Sequence, residues 1–470
     1  MIFPGHEIAK ATGGRLVIDG PSGAICTDTR KLQPGQWFLA LVGERFDSHN
    51  FLETANKAQC AGIIAHHAPE GWSRGFVEVP DTLIALQDLA RHGRRCFPGP
   101  VVAITGSVGK TTTRTMIALA LESLGPVHQT DGNFNNHIGL PLTILAAPVD
   151  AAVWVLEMGM NHAGEIQLLQ DIAKPTIRVI TNVGAAHLEG LGSIEGVAAA
   201  KGELFDGARP GDILCINADD PLVDALHVPP GAHVLRYGSS DPCNVMLTDA
   251  VIDRETLSTR YRIETPHGIV RGTLRSPGLH LAHNATAAVA VSTALGAPSD
   301  GLGERIGKYQ PIGMRLRVEN GPRGEMIIND AYNANPMSMA ASLKTLSSLT
   351  SPREHEENKR IALLGDMLEM GAGEAQAHEG VLSLAKSLPL DLIGIAGPRF
   401  AAAARELGME ADPKLIIADD AVSLGHATRS KVSSQDLVLL KGSRGLHMEQ
   451  ILLTWKEADP GAEVSLGDNH

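Results

Sequence analysis

Val101-Val102-Ala103-Ile104-Thr105-Gly106-Ser107-Val108-Gly109-Lys110-Thr111-Thr112-Thr113 is the stretch that decides how this chain is read. Five strand-type residues enter a glycine-punctuated turn, and Met116, Ile117, Ala120, Leu121 and Leu124 then recur at helical spacing until Gly125-Pro126 stops the helix. A strand, a tight turn and a helix N-terminus in that order make a phosphate site. Gly106 and Gly109 let successive N–H groups converge on one point, and the helix end adds partial positive charge. Lys110 reaches the outer phosphates, and the hydroxyl of Thr111 or Thr112 takes a place on Mg2+. Ile104 stands where the long form of the phosphate loop has its first glycine, so the turn is the short Thr-Gly-x-x-Gly-Lys-Thr form.

At 470 residues the chain has room for about three domains. Its formal net charge of -13 argues against a nucleic-acid binder, whose surface carries a basic face. Positive charge for a nucleotide must therefore be local. Cys26, Cys60, Cys96, Cys215 and Cys243 are scattered without metal-ligand or redox spacing, which predicts reduced, buried thiols and a cytoplasmic location. Ile2-Phe3-Pro4-Gly5-His6-Glu7 has no signal-peptide pattern, no uncharged apolar run is long enough to span a membrane, and a monomer is expected.

The fold class read from the pattern is α/β in three domains. Residues 1–98 form a small unit with strands at Trp37–Leu41 and Gly62–Ala65 and a helix from Asn50 to Ala61, closed by the linker Phe97-Pro98-Gly99-Pro100. Thr27-Asp28-Thr29-Arg30 and the run from Gly43 through Glu44 and Arg45 to Phe51 flank its first strand; by themselves they read as a capped turn and a surface loop.

Residues 99–311 alternate strand and helix as a mostly parallel sheet requires, and in such sheets ligands gather beyond the carboxyl ends of the strands. Asn135-Asn136-His137, Glu157-Met158-Gly159 and Asn182-Val183-Gly184-Ala185-Ala186-His187 all fall there. Glu157, a carboxylate ending a buried strand beside a phosphate loop, is the candidate Mg2+ ligand. His187 alone reads as a structural histidine, and Lys201, on a helix that Ser193 caps, as an exposed helix lysine. Alternating segments between 243 and 275 suggest an antiparallel addition at the sheet edge.

Residues 312–470 alternate again and read as a Rossmann-like domain without a dinucleotide fingerprint. Asp330-Ala331-Tyr332-Asn333-Ala334-Asn335-Pro336, Gly365-Asp366-Met367-Leu368-Glu369-Met370-Gly371 and Lys441-Gly442-Ser443-Arg444 follow its strands. The charged run Pro352–Lys359 reads as a solvated connection.

Taken together, Thr105–Thr112, Asn135–Pro141, Glu157–Gly159, Asn182–Glu189, Lys201–Glu203, Tyr332–Met339 and Leu439–Arg444 resemble the motifs of the Mur ligases over the length of the chain. Val108 stands where many relatives have Asn, and Asn329 where many have an acid; the Asp-Asn-Pro-Arg motif of the diaminopimelate-adding branch is absent. The resemblance implies a small N-terminal domain that binds the UDP of a sugar nucleotide through Thr29, Arg30 and His49, and a central P-loop ATPase-like domain. ATP would lie on Gly106, Ser107, Val108, Gly109, Lys110, Thr111 and Thr112, with Asn135 or Asn136 and Asn284 about the adenine, Arg315 on the γ-phosphate and Asp330 on the ribose. Thr111, Glu157 and His187 would serve Mg2+, joined by Lys201 if carbamylated. Lys110, His187, Lys201 and Arg315 would carry catalysis, and Tyr332, Asn333, Asn335, Lys441 and Arg444 would face substrate. The implied reaction joins UDP-N-acetylmuramoyl-tripeptide to D-alanyl-D-alanine through an acyl phosphate. A folylpolyglutamate-type ligase is disfavoured by the Thr27–Phe51 region and Tyr332–Pro336, and a P-loop regulatory ATPase by Ile104.

Overall fold

The computed structural model describes residues 1–43, 46–349 and 358–458. Glu44, Arg45 and most of the Pro352–Lys359 connection lie outside the described residues. The organising sheet has nine strands, in the order 268–274, 258–265, 245–253, 233–238, 213–217, 177–180, 101–105, 153–157 and 127–129. The strand that enters the phosphate loop, Val101–Thr105, lies deep inside it, paired in parallel with Val153–Glu157 and Ile177–Ile180. All five of its residues are buried, as a strand covered on both faces must be.

Alternation along these strands sorts the core. Val102, Ile104, Val153, Val155, Ile177 and Val179 face one apolar cluster, while Val101, Ala103, Trp154, Leu156 and Ile180 face another. The second cluster runs on into the first domain through Leu86, Leu89, Ala90 and Phe97, and the first into the third domain through Ile328, Met339 and Leu343. The first domain packs helix Thr82–Cys96 against helices Gly139–Ala146 and Glu165–Ala173 of the central domain, and the third meets it where Gly371–Gly373 lies against Leu188–Leu191. The antiparallel edge expected between 243 and 275 is Val245–Asp253, Ser258–Thr265 and Gly268–Leu274.

The main sheet of the first domain has five strands, in the order 15–18, 75–78, 62–65, 37–39 and 25–26, of which only the first pair is antiparallel, and a separate antiparallel pair joins 42–43 to 46–47. Its helix is shorter than expected: a 3-10 turn at Ser48–Phe51 precedes Leu52–Lys57. Helix Thr82–Cys96, capped by Asp81, docks on the central domain. There Arg94 donates to the carbonyls of Ala173 and Phe97, both at 2.7 Å, and Arg91 pairs with Asp171 at 3.1 Å. Phe97 stacks on Trp154 with ring centroids 4.0 Å apart.

The third domain has six strands, in the order 317–320, 326–329, 437–441, 360–365, 392–396 and 415–418, all parallel except the first pair. Several strands carry little readable pattern in the sequence. Val127–Gln129, His233–Gly238 and Arg317–Asn320 become strands because a neighbouring strand offers them hydrogen bonds.

Truncating Phe97 to Ala removes a buried ring from the seam between two domains. It is expected to destabilise the first domain by about 3 kcal/mol, read as an earlier urea transition in the full chain. An unmoved transition would mean that Arg91 and Arg94 seat the domain alone.

Candidate active site

The carboxyl ends of the central and third sheets open onto one cavity of about 470 Å3. From the central domain come the phosphate loop, Asn135, Asn136, Glu157, His187, Lys201, His280 and Asn284; from the third come Arg315, Asp330, Tyr332, Asn333, Asn335 and Lys441.

The loop is held by Asn182. The Ser107 amide donates to the Asn182 carbonyl at 3.0 Å, and the Val108 amide to the Asn182 side-chain oxygen at 2.9 Å. In return Asn182 Nδ2 and Thr181 Oγ1 donate to the Val108 carbonyl, at 3.0 and 2.7 Å. The amides of Ser107 and Val108 are therefore spent inside the protein. Those of Gly109, Lys110, Thr111 and Thr112, which open helix Lys110–Leu121, have no intrahelical acceptor and face outward. Two glycines make this turn possible. At Gly106, with φ +149°, a Cβ would lie 1.9 Å from Thr181 Oγ1; at Gly109, with φ +84°, it would lie 2.9 Å from Asn284 Oδ1.

Lys110 folds back so that Nζ donates to the Gly106 carbonyl at 2.7 Å. Burial lowers its pKa, Glu157 opposes that shift and Arg315 adds to it. Thr112 is engaged elsewhere, its hydroxyl 3.3 Å from that of Tyr309, which leaves the Thr111 hydroxyl as the one open toward a ligand.

Glu157 is buried at the end of its strand. Asn135 Nδ2 donates to Oε1 at 2.9 Å, and the buried Arg114 pairs with Oε2 at 3.4 Å. Asn135 therefore positions the carboxylate. Arg114 was missed in the sequence, although it lies one helical turn beyond Lys110 and so shares its face.

Lys201 departs from the exposed helix lysine that its sequence suggested, being only 1% exposed. Ser193 does cap its helix, donor Gly196 N at 3.1 Å, but the residues on either side of Lys201 are apolar and pull that face inward. Burial, then the charge of Lys110, pushes its pKa well below the usual lysine range. His187 is also lowered, first by burial and then by Lys110 and Lys201, while Glu369 raises it. Asp330 is anchored by three partners, Oδ2 by Lys441 Nζ at 2.5 Å and the Ser342 hydroxyl at 2.6 Å and Oδ1 by the Leu316 amide at 3.1 Å, which leaves Oδ1 room to accept a second hydrogen bond. Arg315 lies over the Tyr332 ring, 3.6 Å from its centroid. Among the described residues no cluster of three or more His, Cys, Asp or Glu forms a ready-made metal cage.

Residues 104–292 match the Mur ligase middle domain, and residues 314–444 match the Mur ligase glutamate ligase domain. A Bacillus subtilis UDP-N-acetylmuramoyl-tripeptide--D-alanyl-D-alanine ligase is 36% identical over 91% of this chain and 92% of its own. The Escherichia coli protein of that name is 35% identical over 92% and 94%. The chain belongs to the Mur ligase family. Among solved structures, MurF from Acinetobacter baumannii superposes with a TM-score of 0.87 at 29% identity, covering 97% of this chain and 99% of that one. MurF from Thermotoga maritima, in complex with ADP, gives 0.81 at 27% identity, covering 93% and 97%.

Four residues expected at the substrate side of this Mur ligase are not among those lining the cavity. Thr29 and Arg30 sit on a turn of the first domain, where Arg30 is exposed and grips Asp28 at 2.8 and 2.9 Å, holding that carboxyl at about 2. His49 is buried and both ring nitrogens are taken, Nδ1 by Asp47 Oδ1 at 2.6 Å and Nε2 by the His66 amide at 3.0 Å, so it has no free atom for a sugar or phosphate. Arg444 pairs with Glu449 at 2.6 Å. Two asparagines line the cavity but cap helices. Asn335 takes the Ser338 amide at 2.9 Å, and Asn136 the Gly139 amide at 2.8 Å. Asn329, in place of the usual acid, donates to Glu319 at 2.8 Å.

The two threonines make separable predictions. Thr111→Val is expected to weaken ADP binding by about tenfold, the loss of one hydrogen bond to a charged group, whereas Thr112→Val changes it less than about threefold. Calorimetric titration with ADP reads both; equal effects would remove the distinction.

Proposed function

We propose that this Mur ligase joins D-alanyl-D-alanine to UDP-N-acetylmuramoyl-tripeptide with cleavage of ATP to ADP and phosphate, in the cytoplasm. The observation that carries this reading is one cavity in which Lys110 and Lys201 of the central domain meet Arg315 and the Asp330–Lys441 pair of the third. ATP lies along the outward amides of Gly109 to Thr112, its phosphates held by Lys110 and Arg315. Asp330 takes the ribose and Asn284 the base. Thr29 and Arg30, on an exposed turn, take the diphosphate of the UDP moiety, because Arg30 is free to turn from Asp28 without unburying anything.

The tripeptide carboxylate attacks the γ-phosphorus and expels ADP, leaving an acyl phosphate. The dipeptide amine then adds to the carbonyl, and the tetrahedral adduct collapses to amide and phosphate with loss of the amine proton. The first step brings two anions together, so the cations lining the cavity supply most of the stabilisation. Arg315 is pre-oriented by its stack on Tyr332, which lowers the entropy lost on binding. The third domain covers the phosphate site and keeps water from the acyl phosphate.

Mg2+ fits the donor set: the open Thr111 hydroxyl, one buried carboxylate at Glu157 and an imidazole at His187 suit an ion held largely by phosphate oxygens and water. Bound there it would neutralise charge on the transferring phosphoryl group. Lys201 suits carbamylation, since burial and the charge of Lys110 both disfavour its protonated form and so favour the free amine that the reaction needs.

Phosphate release should require ATP, Mg2+, UDP-N-acetylmuramoyl-tripeptide and D-alanyl-D-alanine together. Lys110→Ala should abolish it while circular dichroism stays unchanged; release that ignores either substrate would instead support a simple ATPase. Lys201→Ala should lose turnover and regain part of it with added formate or acetate. No rescue at any concentration would remove the carbamate.

A further inference from the structure

The loop Gly365-Asp366-Met367-Leu368-Glu369-Met370-Gly371 has no part in the chemistry above, yet it is built rigidly and aimed across the domain seam. Asp366 accepts the amides of Arg399 and Phe400 at 3.0 and 2.9 Å, at the start of helix Pro398–Glu406. The Met367 amide donates to His378 Nε2 at 2.9 Å, and the Leu368 amide to Ser443 Oγ at 2.9 Å. Met367 and Met370 are buried on either side. This leaves Glu369 as the exposed tip, in a left-handed conformation at φ +62°.

What Glu369 meets is His187, whose Nδ1 is 3.1 Å from Glu369 Oε2. His187 is also left-handed, at φ +56°. A non-glycine residue in that region persists only where its surroundings enforce it, and here the two lie face to face. Backbone contact reinforces the pair: a Cβ on Gly371 would lie 3.1 Å from the Glu189 amide nitrogen. A carboxylate oxygen 3.1 Å from Nδ1 favours the tautomer protonated there, which keeps the lone pair of Nε2 for a ligand.

We propose that Glu369 is a positioning residue: by accepting the Nδ1 proton of His187 it fixes that imidazole for metal-bound nucleotide, and it does so only when the third domain is docked on the central one. Docking and completion of the phosphate site thereby become one event. The inference rests on the nucleotide assignment of the cavity above and goes beyond it, since the coupling resides in a residue that touches neither nucleotide nor substrate.

The test uses the full chain with Glu369→Ala, Glu369→Gln, His187→Ala and the double variant. Glu369→Ala should lower kcat by about tenfold, the usual loss when a residue orienting a metal-ligating histidine is removed, with KM for ATP and Tm essentially unchanged. Glu369→Gln keeps an oxygen acceptor for Nδ1–H and should restore most of that loss. Affinity for Mn2+ in the presence of ADP, read by electron paramagnetic resonance, should fall in Glu369→Ala but fall no further when Glu369→Ala is added to His187→Ala. An equal added loss in the His187→Ala background, wild-type kcat and Mn2+ affinity in Glu369→Ala, or no rescue by Gln would each overturn the proposal. A wild-type chain that binds Mn2+ with ADP but forms no amide would instead sink the ligase reading, and the Mn2+ titration would still report on Glu369.

Discussion

The amides of Ser107 and Val108 turn inward onto Asn182, and the rest of the site depends on that clamp. With those donors satisfied inside, the turn closes tightly enough to leave the next four amides without a protein acceptor, where a bound anion can take several of them at once. Gly106 and Gly109 are required because Thr181 and Asn284 occupy the volumes their side chains would need. A phosphate loop is thus a matter of which amides remain unpaired as much as of its glycines.

Charge supplies the second constraint. A chain of net charge -13 gathers Lys110, Lys201, Arg315 and Lys441 around one cavity, and of these Lys441 is already matched by Asp330. Burying a cation is unfavourable, and burial lowers the pKa of both Lys110 and Lys201, opposed at Lys110 by Glu157. The apo site is consequently poised for negative charge. Triphosphate and carboxylate relieve the mutual repulsion of these groups, so the energy of binding is concentrated where the reacting anions must meet.

Much of the site was legible from strand ends. Lys110, Glu157, Asp330 and Lys441 end or follow buried apolar strands, and parallel sheets gather such positions beyond their carboxyl edges. The misreadings share a different cause. His49, Asn136 and Asn335 are residue types that serve a ligand or a backbone amide equally well, and here the nearest amide won. Lys201 failed as a surface lysine because Val197, Ala198, Leu204 and Phe205, three and four positions to either side, put it on the buried face of its helix, a signal that helical spacing does carry. Short strands such as Val127–Gln129 carry too few residues for a periodic signal.

From the order of residues alone came the alternating helices and strands, the short phosphate loop and the polar ends of the apolar runs, because periodicity and glycine placement are local properties of a chain. Only folding decided that two sheets from separate domains turn those ends toward each other, that Asn182 empties two amides and frees four, and that Glu369 arrives at His187 from more than 180 positions away in the chain. Such pairings are set by how each domain packs on the helices and loops of the central one, and burial of apolar area depends on the whole three-dimensional surface rather than on any one stretch of sequence.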